Sequence, residues 1–169
     1  MNVEELVKKL ILDLVSEYTP PGYEYKLTPI IRGWADELGY DEFYTDEVGN
    51  VFLRYGSRGK TILLASHLDT VPGKIDARLV QDTVYGRGVI DAKGPLTAFI
   101  IGAALHRSIM SDCKVYVGGL VREEDDGLGA KYLVEKEFRS DHIIIGEPTN
   151  LGIAIAYRGS IPVSYTHLT

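Results

Sequence analysis

The feature that most limits the fold is the run TILLA, residues 61–65, whose members are apolar or β-branched. A strand with one wet face alternates apolar and polar residues, whereas a continuous run of this kind suits a core strand of a parallel sheet, covered on both sides. The run stops abruptly. His67 and Asp69 follow it, two residues apart, just before the breaker pair Pro72-Gly73. In open α/β sheets ligands bind beyond the carboxyl ends of the strands. The chemistry of this chain is therefore expected where its apolar runs end.

The rest of the chain supplies partners for such a strand. Val3, Leu6, Val7, Leu10 and Leu14 lie on one face of a helix that stops at Thr19-Pro20-Pro21-Gly22. Leu27, Ile30, Ile31, Trp34 and Leu38 mark a second amphipathic helix ending at Gly39. YDEFYTDEVGNVFLRYG alternates like a hairpin about Gly49-Asn50. A polar loop, a short strand near RLVQDTVYG and a buried helix, GPLTAFIIGAALHRS with Pro95 in its first turn, come after residue 66. Then follow strand CKVYVGGLV, helix GLGAKYLVEKEF, strand DHIIIG and a further strand in LGIAIAYRGSIPV. This alternation predicts an α/β fold: a layered, largely parallel sheet with helices on both faces.

At 169 residues the chain is about one domain long. A net charge of −6 and a pI near 5.2 argue against nucleic acid or an anionic membrane surface as the main partner. Glu4, Glu5 and Asp13 stand where a signal peptide needs a basic and then an apolar stretch, and no apolar run has bilayer length. A single cysteine, Cys113, excludes an intrachain disulfide framework and suits a reducing compartment. A cytoplasmic protein with a buried structural thiol is expected.

Acids follow the apolar runs repeatedly. Glu123, Glu124, Asp125 and Asp126 come after the strand at 113–121, Glu147 comes after 142–146 and is held by Pro148, and Asp91 leaves the glycine-rich turn YGRGVIDAKGP. Each has an ordinary reading alone: a structural histidine, a solvated REEDDG loop, a loop glutamate. The glycine-rich turn lacks the spacing of either common phosphate-binding motif. His106 and His142 sit in a helix tail and a strand entrance, where structural roles are expected. Four elements delivering acids or a histidine to one sheet edge form a pattern that the separate readings do not explain. Such a cluster needs positive charge, from Lys93 and Arg122 or, better, from a divalent metal. Histidine with carboxylates is a donor set suited to zinc, and Asp69 is placed to accept the second ring N–H of His67.

SHLDTVP, YGRGVIDAKG, REED and GEPT, in this order, resemble the dinuclear-zinc aminoacylase/carboxypeptidase family, which includes acetylornithine deacetylase and succinyl-diaminopimelate desuccinylase. The likeness runs over residues 3–163. EPTN…AYRGSIPV is most similar to the branch that releases lysine or ornithine from the C-terminal glutamate of an amino-group carrier protein. The resemblance implies that His67 binds a first zinc, that Asp69 orients it, and that Asp91 bridges to a second. It makes Glu123 the general base, Glu124 a ligand of the second zinc and Glu147 the carboxylate that completes the first. Glu123 and Glu124 are then expected to leave an extended backbone in opposite directions.

The same resemblance implies metal-assisted amide hydrolysis, two Zn2+ per complete subunit with Co2+ able to substitute, and a homodimer. The substrate is an acidic carrier protein or a small N-acyl amino acid, and Arg54, Arg58, Lys60, Lys74 and Arg78 could form a docking patch for the carrier. Residues 1–160 correspond to the N-terminal part of a zinc-exopeptidase-like catalytic domain. Residues 161–169 are either the start of a lid domain or a non-native tail, with His167 outside the ligand set. A chain ending before the lid and a last zinc-binding histidine is expected to hold about one zinc tightly and to turn over little substrate. The rival readings are a metal-binding module without activity and a phosphate-binding α/β domain.

Overall fold

The computed structural model describes residues 2–109 and 112–156. Helix α1 (Val3–Ser16) starts from a reciprocal cap: the Asn2 side chain accepts the Glu5 N–H at 2.9 Å, and the Glu5 carboxylate accepts the Asn2 N–H at 3.0 Å. Its buried stripe is Leu10, Ile11, Leu14 and Val15. A short 3₁₀ turn (Glu24–Leu27) leads into α2 (Thr28–Leu38), which ends at Gly39 in the left-handed conformation, φ +72°.

Among the described residues the main sheet has five strands in the order β1-β2-β6-β3-β7. Strand β3 (Lys60–His67) lies between β6 (Cys113–Leu120) and β7 (His142–Ile145) and is parallel to both. β1 (Glu42–Thr45) and β2 (Val51–Tyr55) form the expected hairpin, which joins antiparallel to β6. The period of two sorts the β3 side chains between two cores. Ile62 and Leu64 face the cluster built by α1, α2 and α3 (Gly94–His106), with Leu53, Val115 and Val117. Leu63 and Ala65 face Phe52, Leu133 of α4 (Leu128–Glu135) and Phe138. Helices thus cover both faces, as the uninterrupted run at 61–65 requires.

Some expectations change. The short strand near residue 80 is a separate hairpin, β4 (Arg78–Val80) and β5 (Thr83–Tyr85), turned at Gln81, φ +54°. Residues 151–156 form no strand, and Ile153 and Ile155 stand 93% and 95% exposed, so the strand predicted over 151–163 does not form in its described part. The remainder of that segment, and residues 161–169 with His167, lie outside the described residues. Arg54, Arg58 and Lys60 belong to the amino-terminal end of β3 whereas Lys74 and Arg78 follow its carboxyl end, so the five cations do not make one patch. Arg54 is moreover paired with Glu42 at 2.7 Å. Cys113 is half-buried at the start of β6, and the His106 Nδ1 lies 2.9 Å from Gly102 O of its own helix, away from the sheet edge.

By count alone, Val89–His106 reaches membrane-spanning length, with 18 residues and mean hydropathy 1.2. The backbone leaves helical geometry at Asp91 (φ −123°, ψ 99°) and Ala92, however. The regular helix that follows has 13 residues, about 20 Å, against a hydrocarbon core of about 30 Å. It is a core helix, burying Leu96, Thr97, Ile100, Ile101 and Ala103.

Candidate metal centre

The carboxyl ends of β3, β6 and β7 open on one edge of the sheet, and His67 is the last residue of β3. Its imidazole is 1% exposed, and both ring nitrogens are engaged. Nδ1 lies 2.9 Å from the main-chain oxygen of Asp69, an acceptor, so Nδ1 keeps its proton in either ring state and Nε2 is the nitrogen able to give up its proton to a metal. Nε2 faces a ring of acids: Asp91 Oδ1 at 2.9 Å, Glu123 Oε2 at 3.9 Å and Glu147 Oε1 at 4.0 Å. Donor atoms of His67, Asp91 and Glu124 all lie within 4.8 Å of one another. All six residues singled out in the sequence are brought to this edge.

Asp69 orients more than the ring. Its carboxylate is 3.5 Å from Nδ1, beyond a good hydrogen bond, and its Oδ1 and Oδ2 instead accept the N–H groups of Glu123 at 3.0 Å and Glu124 at 2.9 Å. The expectation that the Asp69 side chain takes the second ring N–H is corrected: the Asp69 main chain takes it, and the carboxylate holds the neighbouring acid-bearing loop. Burial alone would raise the Asp69 carboxyl pKa, but the imidazole and the two N–H bonds outweigh it and hold the group below its usual range.

Residues 123–126 form a turn, not the extended backbone expected, so Glu123 and Glu124 do not diverge and both belong to the cluster around His67. Four successive N–H groups along this loop end on side-chain acceptors from three other segments. Asn50 Oδ1 takes Val121 N–H at 3.0 Å, Glu24 Oε1 takes Arg122 N–H at 3.0 Å, and Asp69 takes the next two.

Asp91 arrives on a strut that requires a glycine. Gly88 has φ +82°, and a Cβ there would lie 2.6 Å from Thr70 Cγ2, so only glycine lets the strut approach the β3 loop. The Ser66 hydroxyl, 3% exposed, lies 3.0 Å from both Ala92 O and Gly146 O and joins β3 to the strut and to the loop of Glu147.

Neither expected cation serves the cluster. Lys93 is wholly buried, and its ammonium donates to Leu14 O at 3.0 Å and Glu17 O at 2.7 Å at the end of α1; burial lowers its pKa to about 8. Arg122 pairs with Asp125 at 2.6 Å and Asp126 at 3.0 Å. The carboxylates facing Nε2 are left to each other. Burial, then Asp91 and the other neighbouring charges, push Glu124 above the usual carboxylate range, and burial likewise raises Glu147 in spite of the imidazole. Burial works to lower His67, but Asp69 and Asp91 outweigh it and carry it up to about 9. An imidazole nitrogen able to shed its proton and several carboxylate oxygens converging on one point fit a hard or borderline divalent cation.

Residues 63–160 match the sequence profile of Peptidase family M20/M25/M40. A [LysW]-lysine/[LysW]-ornithine hydrolase of Saccharolobus islandicus is 42% identical over 160 residues, covering 94% of this chain and 44% of the relative. A protein of Aeropyrum pernix that carries the same name provisionally is 48% identical over 163 residues, covering 95% of this chain and 46% of its own length. The chain thus spans about half the length of the curated relatives it matches. Among solved structures, the M20 metallo-carboxypeptidase Sso-CP2 of Sulfolobus solfataricus superposes with a TM-score of 0.70 at 17% identity, over 86% of this chain and 37% of the other. The YXEP protein of Bacillus subtilis, a dinuclear metal-binding M20 peptidase, gives 0.65 at 19% identity, over 84% and 42%. The fold of the sheet, the family profile and the near relatives agree: the chain belongs to Peptidase family M20/M25/M40.

Proposed function

We propose that the protein is a zinc-dependent amide hydrolase that frees lysine or ornithine from the C-terminal glutamate of an acidic amino-group carrier protein. The observation that carries this reading is His67 Nε2 facing Asp91, Glu123 and Glu147, with Lys93 and Arg122 turned elsewhere. The relatives at 42–48% identity support the carrier-bound substrate. His67, Asp91, Glu124 and Glu147 would hold the metal, with Asp91 shared between two ions. When bound, zinc or cobalt supplies Lewis acidity toward the amide carbonyl and neutralises the acids around it.

The chain's own residues do the rest. Glu123 has a carboxylate oxygen 3.9 Å from Nε2 and a half-exposed side chain, within reach of a water approaching the site. It takes the proton of that water as the oxygen attacks the amide carbon, and returns it to the departing amine when the C–N bond breaks. Asp69 keeps Glu123 and Glu124 in place through their main-chain N–H groups, and the Asp69 carbonyl fixes the His67 tautomer. No nucleophilic side chain is required. A cytoplasmic location goes with this reading.

The test, on a protein spanning the full length of the relatives, is release of free lysine or ornithine from a carrier carrying either amino acid on its terminal glutamate, followed by mass spectrometry. Release that stops with a chelator and returns with zinc or cobalt is expected. A metal-replete protein that cleaves acetyl- or succinyl-amino acids but not the carrier would replace the substrate assignment, and one that cleaves neither would overturn the hydrolase reading.

A further inference from the structure

The segment from the end of α1 to the first residue of the 3₁₀ turn contributes no acid to the ring around Nε2, yet it bonds the segments that carry Asp91, Asp69 and the Glu123–Glu124 pair. Lys93, two residues past Asp91, donates to Glu17 O at 2.7 Å. The Thr19 hydroxyl donates to Leu68 O at 2.8 Å, and Thr70 N–H returns a bond to Thr19 O at 3.0 Å, clasping the residues on either side of Asp69. Glu24 completes the set by accepting the Arg122 N–H at 3.0 Å, immediately before Glu123. Glu24 is 3% exposed, unusual for a carboxylate with no ammonium or guanidinium bonded to it among the described contacts.

The bond from Glu24 falls at a demanding place. Arg122 has φ +56°, a left-handed backbone that a residue with a Cβ adopts only when its surroundings hold it there. Asn50 holds the N–H before it and Asp69 the two after it. Glu24 and Arg122 also line an open cleft of about 660 Å³, together with Tyr25, Val121 and Leu128. The four hydrogen bonds together set where Glu123 and Glu124 begin.

We propose that Glu24 is a positioning residue for the centre: by holding Arg122 in its left-handed conformation it sets the Glu123–Glu124 pair against His67. It acts through the main chain and touches neither the donors nor the reacting atoms. The inference deepens the hydrolase reading, but its first test does not depend on it.

Amide hydrogen exchange of the metal-free chain reads the clamp directly. In Glu24→Ala, the Arg122, Glu123 and Glu124 amides should exchange at least ten times faster than in the wild type, while Val115 and Val117 in β6 keep their protection. Glu24→Gln retains an oxygen that can accept the Arg122 N–H, and should keep loop protection within about threefold. A zinc titration against a competing chelator should show affinity weakened about 10–100-fold in Glu24→Ala, the scale of residues that orient ligands, and close to wild type in Glu24→Gln. Unchanged loop exchange in Glu24→Ala overturns the proposal, as does equal loss of protection in loop and β6, which would make Glu24 a general stabiliser. Should Glu24→Ala not fold, a folded Glu24→Gln with a freely exchanging loop overturns it equally. A wild-type chain that binds no zinc sinks the hydrolase reading and leaves the exchange result standing.

Discussion

The two flanks of the candidate centre are built on opposite principles. On the β6 side, the acid-bearing loop is held at four consecutive N–H groups by Asn50, Glu24 and Asp69, and His67 and Asp69 beneath it are 1% and 0% exposed. On the β7 side, Glu147 follows a strand that, among the described residues, pairs only with β3, and its Ile143, Ile144 and Ile145 are 59%, 53% and 64% exposed. Ser66, reaching Gly146 O at 3.0 Å, and the Gly146 N–H on Ala65 O at 2.7 Å are its ties to β3. One flank is preorganised by hydrogen bonds from distant parts of the chain, and the other is hung from a single neighbour. Placement of a base needs the first kind of support, because misplacement by an ångström costs far more in rate than in binding.

The largest test of that contrast is turnover. In a protein spanning the full length of the relatives, Glu123→Gln should keep its metal and lose about 10²–10⁴-fold in kcat, the usual worth of general acid–base catalysis. Glu147→Gln should act chiefly on metal content. Steady-state kinetics beside metal analysis checks both, and similar losses of kcat at equal metal loading would erase the distinction between the flanks.

Proton competition comes next in size. With His67 raised to about 9 from an ordinary 6.5, the metal-free fold gains stability from the protonated ring that is fully present below pH 6.5 and is lost as pH rises through about 9. Metal binding runs the other way, since the ion must displace that proton. Apparent zinc affinity should therefore climb about tenfold per pH unit toward pH 9 and then level off. Calorimetry in buffers of different ionisation heat checks this through proton release, and a pH-independent affinity would remove His67 from the ligand set.

Asp69→Asn sharpens the β6 side further. The amide offers one oxygen where two N–H groups now find acceptors, so one of the two meets an NH2 and a buried donor is left unpaired, at about 1–3 kcal/mol. Zinc affinity should fall about 10–100-fold, with a lower unfolding midpoint in the apo chain. An Asn variant matching the wild type in both would reduce Asp69 to a loop residue.

Packing gives a contrast that does not involve the metal. Leu53→Ala, in the fully buried α1–α3 cluster, should cost about 2–5 kcal/mol by denaturant unfolding. Ile144→Thr, on the exposed edge strand, should fall within about 0.5 kcal/mol of the wild type. Comparable losses at the two positions would show that β7 is covered in solution.

Most of the central sheet and all six cluster residues were legible in the sequence for one reason: a parallel sheet delivers the residues after its apolar strands to a common edge. What was not legible depends on direction. Lys93 stands two residues from Asp91, and nothing in that spacing tells that its ammonium turns back to the carbonyls of α1. H-x-D spacing places Asp69 beside His67, but whether the side chain or the carbonyl meets Nδ1 is decided by the loop arriving from β6. Glu24 follows no strand and matches no ligand spacing, and only its burial in the folded chain reveals it. Asn50 reads as a turn residue and also bonds Val121, 71 positions away. In the strand expected at 151–163, the described residues 151–156 pair with no described strand and leave Ile153 and Ile155 exposed.

The central claim is that His67 binds a divalent cation through Nε2 while Nδ1 keeps its proton on the Asp69 carbonyl. Long-range proton–nitrogen NMR of the His67 imidazole during a zinc titration tests it most directly. The expected result is a shift of Nε2 to the metal-bound range with Nδ1 still protonated, saturating with Asp91 and Glu124 intact and lost in Asp91→Asn. An imidazole that ignores zinc, or one that takes the metal at Nδ1, would contradict the centre as described.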